Sequence, residues 1–404
     1  MLYPVAGIVA EYNPLHKGHL YHIKKARELC SAEAVAVVLS SDFVQRGEPA
    51  LLDKWTRAEA ALRCGVDLVI ELPVIFSSHN AGVFANAAVD ILAATGVVTH
   101  LSFGAENPDC LVDSIVDILL KEPEPFKPLL KKHLACGLSY VEARARAAEE
   151  MLPGSAALLA GSNNTLALSY IKRIKEKSYG MRAVPLKRLG AAYNSTELEE
   201  FASATAIRAA LSAGEKEAAL SHLPTAAKDI LADALKDGRA CVGHDNTFWR
   251  LLRALLLRTG PEELAKYAEI SEGLEYRMRE AAREANSFAE WCGACTSKRY
   301  PAGRIRRSAI HMLLGLGHWT NRAAQRLGPP YIRVLGMNET GRRLLHKMRE
   351  GAALPVVTTY GKAARLSRYA AETARYEALA CELWEELIPN GRFGEEHKRQ
   401  IIMV

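Results

Sequence analysis

The stretch AGIVAEYNPLHKGHLYHIKKARE, residues 6–28, decides how this chain is read. Its first part, with Tyr3, Pro4 and Val5 before it, is a short apolar run rich in Val and Ile, the composition of a buried strand. Its second part sets Leu20, Ile23 and Ala26, then Leu29, at helical spacing, so strand gives way to helix at His16-Lys17-Gly18-His19. A helix start offers unpaired backbone N–H groups and the positive end of the dipole, which together suit an anion. Two imidazoles three positions apart share one helix face, and Gly18 between them removes a side chain, so a phosphate or a flat ring can approach the backbone. Simple capping is one competing reading. A metal is another, but it needs a third ligand, and no His-Glu-x-x-His pattern is present.

Outward from this turn the rhythm repeats. AVAVVLS (34–40) reads as a second strand, and a helix follows from about Trp55 to Cys64. VDLVIELP (66–73) reads as a third strand, a helix near 82–95 leads to VTHLSFGAE (98–106), and MRAVPLKRLG (181–190) is a fifth. Strands alternating with helices predict a Rossmann-like α/β fold, a parallel sheet covered on both faces. Such sheets bind ligands outside the carboxyl ends of their strands, so EYNPLHKGH, SSDFVQRGEP, ELP and FGAEN converge on one rim. After about residue 209 the strand signals fade into amphipathic helices ended by Pro or Gly, with LPVVTT (354–359) a small strand. The expected organisation is an α/β domain over 1–210 and a mainly helical, basic region over 211–404.

The 404 residues allow two or three domains, and 49% apolar with 24% charged content excludes a disordered or fibrous chain. No apolar run approaches the roughly 18 residues needed to cross a bilayer, and Glu11 and Asn13 interrupt the N-terminus too early for a secretory signal. A cytoplasmic protein without membrane contact is expected. The eight cysteines are scattered, with only Cys292 and Cys295 close together, and no second pair completes a zinc site. Two reduced helix-end thiols, and no bound metal, are the simpler reading. The net charge of +6 is modest, but SKRYPAGRIRR (297–307) concentrates Lys298, Arg299, Arg304, Arg306 and Arg307 around Tyr300 with no acidic residue. A solvated helix face and a nucleic-acid contact both fit such a run.

GIVAEYNPLHKGHL resembles the His-x-Gly-His signature of the nucleotidyltransferase superfamily, which shares its core with class I aminoacyl-tRNA synthetases. SATAIRAAL (203–211) resembles that superfamily's Ser-x-Thr-x-Ile-Arg motif, in which a capped helix start and an arginine hold the triphosphate. With DFVQRGEPALLDKWTRAEAAL, GVDLVIELP, FGAEN and SNNTLALSYI, these blocks are similar to the bacterial tRNA(Met) cytidine acetate ligases over most of the first 210 residues.

The resemblance implies activation of acetate by ATP, with Mg²⁺ on the phosphates, then acetylation of N4 of the wobble cytidine, position 34, of elongator tRNA(Met). It carries ATP contacts to Gly7, Ile8, Val9, Ala10, Glu11, Tyr12, Asn13, Pro14, Leu15, His16, Lys17, Gly18, His19 and Leu20. Further contacts fall on Gly104, on one of Asn163 and Asn164, on Arg188, and on Ser203 and Thr205. His16, His19 and Arg208 are the expected catalytic donors, with Lys17 beside them, and no nucleophilic serine or cysteine is required. Asp42 is a candidate to orient the cytidine amine. Arg46 and the basic residues Lys298, Arg299, Arg304, Arg306 and Arg307 are the expected tRNA contacts. The rivals are a small class I synthetase, which should carry a Lys-Met-Ser-Lys-Ser-like loop, and a cofactor adenylyltransferase, which would leave the helical tail unexplained. A third is a non-catalytic RNA-binding protein with a vestigial nucleotide fold, against which both histidines and Arg208 argue.

Overall fold

Every residue of Ala34–Ser40 is buried. Ala34, Ala36 and Val38 enter one core, and Val35, Val37 and Leu39 enter the other. A strand with two dry faces belongs in a sheet sandwiched between helices. A computed structural model of the chain, which describes residues 4–106, 112–160, 162–187 and 202–404, has that arrangement.

Its strands are β1 (Val5–Ala10), β2 (Ala34–Ser40), β3 (Phe43–Val44), β4 (Glu48–Pro49), β5 (Leu68–Leu72), β6 (His100–Ala105), β7 (Arg182–Lys187), β8 (Ile332–Met337), β9 (Val356–Val357) and β10 (Ile402–Met403). The central sheet runs β10-β8-β5-β2-β1-β6-β7, with β9 also on β8, while β3 and β4 form a separate hairpin. From β5 to β7 all pairings are parallel. Helices Lys17–Leu29, Lys54–Arg63 and Ala204–Ser212 send Ile23, Ala58 and Ile207 into one core; helices Ala81–Ala94 and Ser162–Glu176 send Val89 and Ile171 into the other.

The expected boundary near residue 210 needs a correction. The chain beyond it is mainly helical, yet it also extends the sheet: β8 pairs antiparallel with β5, and β10 lies parallel to β8. The run IRVLGM is buried throughout. Arg333 within it disguised the strand, because a charge in an apolar run reads as surface.

Arg333 belongs to an ion network sealed from water. Lys54 Nζ lies 2.8 Å from Glu71, 2.7 Å from Glu377 and 2.9 Å from Glu396, with all four side chains at most 1% exposed. Arg333 pairs with Glu71 at 3.2 Å and with Glu396. Glu377 also accepts from the Val74 N–H at 2.6 Å, and Glu396 from the Trp55 indole at 3.2 Å. Dry charges persist where close partners offset their lost hydration, so these contacts tie the C-terminal elements to the central sheet. Asp42 is a second correction. It does not stand on the rim to meet a substrate amine: it is buried and accepts from the Lys54 N–H at 2.6 Å.

Candidate active site

The chain leaves β1 through Tyr12, whose φ of +46° turns it sharply, and enters the helix Lys17–Leu29 with His16 as its N-cap. The two histidines form a reciprocal cap. His16 Nδ1 accepts from the Gly18 N–H at 3.1 Å, and His19 Nδ1 accepts from the His16 N–H at 3.3 Å. The rings stack with centroids 3.8 Å apart, and Tyr12 meets His19 edge-on at 5.0 Å. An Nδ1 that accepts cannot carry the proton, so each neutral ring holds its proton on Nε2 and presents that atom as a donor. Capping thus engages Nδ1 of both rings, and an anion would meet Nε2, a different nitrogen.

Ser203 caps the helix Ala204–Ser212, its Oγ accepting from the Ala206 N–H at 3.0 Å. This second helix start faces the first across one cleft of about 170 Å³. Ile8, Val9, Ala10, Glu11, Tyr12, Asn13, His16, Gly18, His19, Arg46, Gly104, Ser203, Thr205 and Arg208 all line it. Arg208 donates to the Asn13 carbonyl at 2.7 Å and pairs with Glu48 at 2.5 Å, and Arg46 donates to Thr205 Oγ1 at 3.1 Å. Glu11 accepts from the Gln45 N–H at 2.9 Å. Burial, with Glu48 nearby, raises its carboxyl above the usual range. Asn13 Oδ1 accepts from the Leu51 N–H at 2.7 Å, which leaves the buried Nδ2 without a partner among the described residues.

Other expected contacts lie elsewhere. Gly7 faces away from the cleft: a Cβ there would sit 2.9 Å from Val98 and 3.1 Å from Leu92, so the glycine admits the helix Ala81–Ala94 against the sheet. Leu15 is in the core, Leu20 packs against it, and Pro14 is buried. Lys17 is exposed and outside the cleft lining, its N–H donating to the His222 carbonyl at 3.0 Å. Asn164 lines a separate small apolar pocket and accepts from the Glu106 N–H at 2.9 Å. Arg188 and the side chain of Asn163 lie outside the described residues.

The cleft also recruits Tyr21, His22, Gln45, Lys187 and an apolar wall of Phe84, Phe103, Leu166 and Tyr170. Only His22 left a signal, standing three places after His19 as His19 does after His16; its Nε2 lies 3.1 Å from Ser102 Oγ on β6. The wall comes from three elements far apart in sequence. No group of three or more His, Cys, Asp or Glu side chains that could hold a metal occurs among the described residues. Cys292 and Cys295 are buried and free, and burial raises the Cys295 thiol to about 12. Both belong to the core.

The basic stretch divides into two groups. Arg304 turns inward, donating to the Glu269 carbonyl at 2.8 Å and lying 4.8 Å from the Tyr300 ring. Arg307 points toward Glu269 at 3.9 Å, and Arg299 pairs with Glu272 at 2.5 Å. Lys298 and Arg306 are exposed and make no ion pair among the described residues. The stretch abuts the site: a Cβ on Gly47, which has φ +78°, would lie 2.6 Å from Arg307 N and 2.7 Å from Arg306 Cβ. The β3–β4 hairpin therefore carries Arg46 and Glu48 toward the cleft with its tip against the helix Ala302–Leu313.

A mainly parallel sheet with paired helix starts at its carboxyl rim, one capped by His-x-Gly-His, defines a nucleotidyltransferase. The chain belongs to the HIGH nucleotidyl transferase family, whose model matches residues 3–399. Within it, the chain belongs with the tRNA(Met) cytidine acetate ligases. It is 36% identical over 398 residues to the tRNA(Met) cytidine acetate ligase of Syntrophomonas wolfei, covering 96% of this chain and 95% of that one. It is 39% identical over 356 residues to that of Caldanaerobacter subterraneus, covering 87% and 88%. The crystal structure of apo Thermotoga maritima TmcAL matches with a TM-score of 0.94 at 33% identity, over 99% of both chains. The same protein bound to alpha-thio ATP matches at 0.90 and 32%, again over 99% of both.

Proposed function

We propose that the protein is an ATP-dependent ligase that converts acetate to acetyl-adenylate. It then transfers the acetyl group to N4 of the wobble cytidine of elongator tRNA(Met), giving N4-acetylcytidine. The observation that carries this reading is the single cleft in which the stacked His16–His19 cap faces the Ser203-capped helix start and Arg208. The named relatives and the ATP-analogue complex of the T. maritima protein support the choice of substrates.

In the first step an acetate oxygen attacks the α-phosphorus, the bond to the β-phosphate bridge breaks, and pyrophosphate leaves. Charge grows on the phosphate oxygens, and preorganised donors stabilise it without reorganisation. His16 and His19 supply Nε2–H, Arg208 its guanidinium, and the helix start at Ser203 its amides. The apolar wall of Phe84, Phe103, Leu166 and Tyr170 suits a flat heterocycle. Mg²⁺, which the family resemblance implies, would ride on the phosphates, since Glu11 and Glu48 are already engaged by Gln45 and Arg208.

In the second step N4 of cytidine attacks the acetyl carbon, the bond to AMP breaks, and N4 loses a proton. The base must be drawn out of its loop to reach the cleft. Arg46 at the rim, with Lys298 and Arg306 beyond the hairpin, would meet the RNA backbone. Among the described residues no helix is long and apolar enough to cross a membrane, and a cytoplasmic setting suits a tRNA substrate.

Incubation with ATP and labelled acetate, with and without tRNA, tests the reading. Acetyl-AMP without tRNA, and label in N4-acetylcytidine with it, are expected. Label entering tRNA only from an amino acid would assign the cleft to a synthetase instead.

A further inference from the structure

The helix His318–Leu327 (HWTNRAAQRL) contains no acidic residue and has two distinct faces. Its inner face is committed. Asn321 and Ala324 are buried, Asn321 Oδ1 lies 3.1 Å from His79 Nε2, and Gln325 Nε2 lies 3.2 Å from the same nitrogen. His79 immediately precedes the Asn80-capped helix that carries Phe84 into the cleft wall, so this helix docks at the start of that one.

On the outer face, Trp319, Arg322 and Arg326 follow one another at spacings of three and four, which aligns them along the helix. Trp319 is 77% exposed, the most exposed large apolar side chain among the described residues. Arg322 and Arg326 are exposed and make no ion pair there. The start of the helix Arg368–Glu385 lies beside the far end, where the Tyr369 hydroxyl donates to the Gly328 carbonyl at 2.8 Å. That helix begins with the exposed Arg368, and the nearby Glu372 pairs with Arg375 at 2.7 Å.

An indole kept in water beside two guanidinium groups that make no ion pair among the described residues matches the chemistry of unpaired RNA: a flat base to stack on and phosphates to neutralise. A second copy of this chain fits poorly, because a two-fold contact would set this face against itself, arginine against arginine. We propose that this face is a second tRNA contact, with Trp319 stacking on an unpaired base and Arg322 and Arg326 holding the adjoining backbone. The assignment rests on the tRNA reading above.

Binding of an elongator tRNA(Met) transcript by wild type and by Trp319→Ala, Trp319→Phe and the Arg322→Ala/Arg326→Ala pair tests it, alongside tRNA-free acetyl-AMP synthesis. Loss of one stacked base should weaken binding by about 5- to 150-fold, and Trp319→Phe should restore most of it. The double arginine variant should flatten the salt dependence by up to about two. Acetyl-AMP synthesis should match wild type in all three, which shows that they fold. Trp319→Ala binding as tightly as wild type would overturn the proposal and leave the function standing. A wild-type dimer that Trp319→Ala converts to monomer, by sedimentation velocity, would give the face to a second copy instead. Wild type that binds no tRNA at all would overturn the functional reading itself.

Discussion

Arg208 and Glu48 form an ion pair at 2.5 Å at the cleft, while the other arm of the same guanidinium donates to the Asn13 carbonyl at 2.7 Å. The arginine is thus oriented from both sides by two elements far apart in the sequence before any substrate arrives. Preorganised donors are worth most when nothing must move at the moment of reaction. Arg208→Ala should lower kcat/KM for acetyl-AMP formation by about 10²–10³. Arg208→Lys should recover only a small part, because one ammonium cannot reproduce a planar fork. Pyrophosphate release measured with acetate and ATP reads both.

His19→Ala removes an Nε2 donor and half of the reciprocal cap. Adenylate formation should fall by about two to three orders of magnitude. Stability should fall by only about 1 kcal/mol, the usual worth of a cap. Thermal unfolding beside pyrophosphate release separates the two; near-wild-type activity would remove the assigned role.

The basic stretch should respond residue by residue. Arg306→Ala and Lys298→Ala should weaken tRNA binding and reduce its salt dependence by about one each, since each removes an exposed charge without an ion-pair partner among the described residues. Arg304→Ala should instead lower the melting temperature, because it strips the Glu269 carbonyl of its donor and Tyr300 of its stacked cation. Equal effects of Arg304 and Arg306 on binding would contradict this division.

Gly47→Ala should damage both stability and catalysis. The residue has φ +78°, and its Cβ would meet Arg307 N at 2.6 Å. Strain of this kind costs about 1–3 kcal/mol, and relief of it would move the hairpin that carries Arg46 and Glu48. Thermal unfolding and KM for ATP should shift together.

Burial pushes the Glu71 carboxyl up to about 7 and that of Asp42 up to about 6. A carboxyl raised on folding favours the protonated, folded form, so its contribution is complete below the unfolded value and fades as pH rises through the folded one. Stability from these groups should therefore decline between about pH 4 and 7. Glu396, held low by Lys54 and Arg333 against its burial, contributes in the opposite sense and only at more acid pH. Glu71→Gln should flatten the decline in melting temperature over that window; an unchanged slope would remove Glu71 as its source.

Residue order alone is enough to read the alternating strands and helices, the turn at His16–His19 and the capped helix start at Ser203. Each is written in local periodicity or in residues a few positions apart, and local geometry follows from those directly. Tertiary structure alone decided the rest. It turned Gly7 to the sheet's packing face and sent Asn164 to a different pocket. It drew Arg333 and Glu377 into a dry network with Lys54, and it set Arg304 inward while Arg306 faces water. Burial and charge pairing depend on what arrives from distant parts of the chain, and residue order does not encode those arrivals at short range.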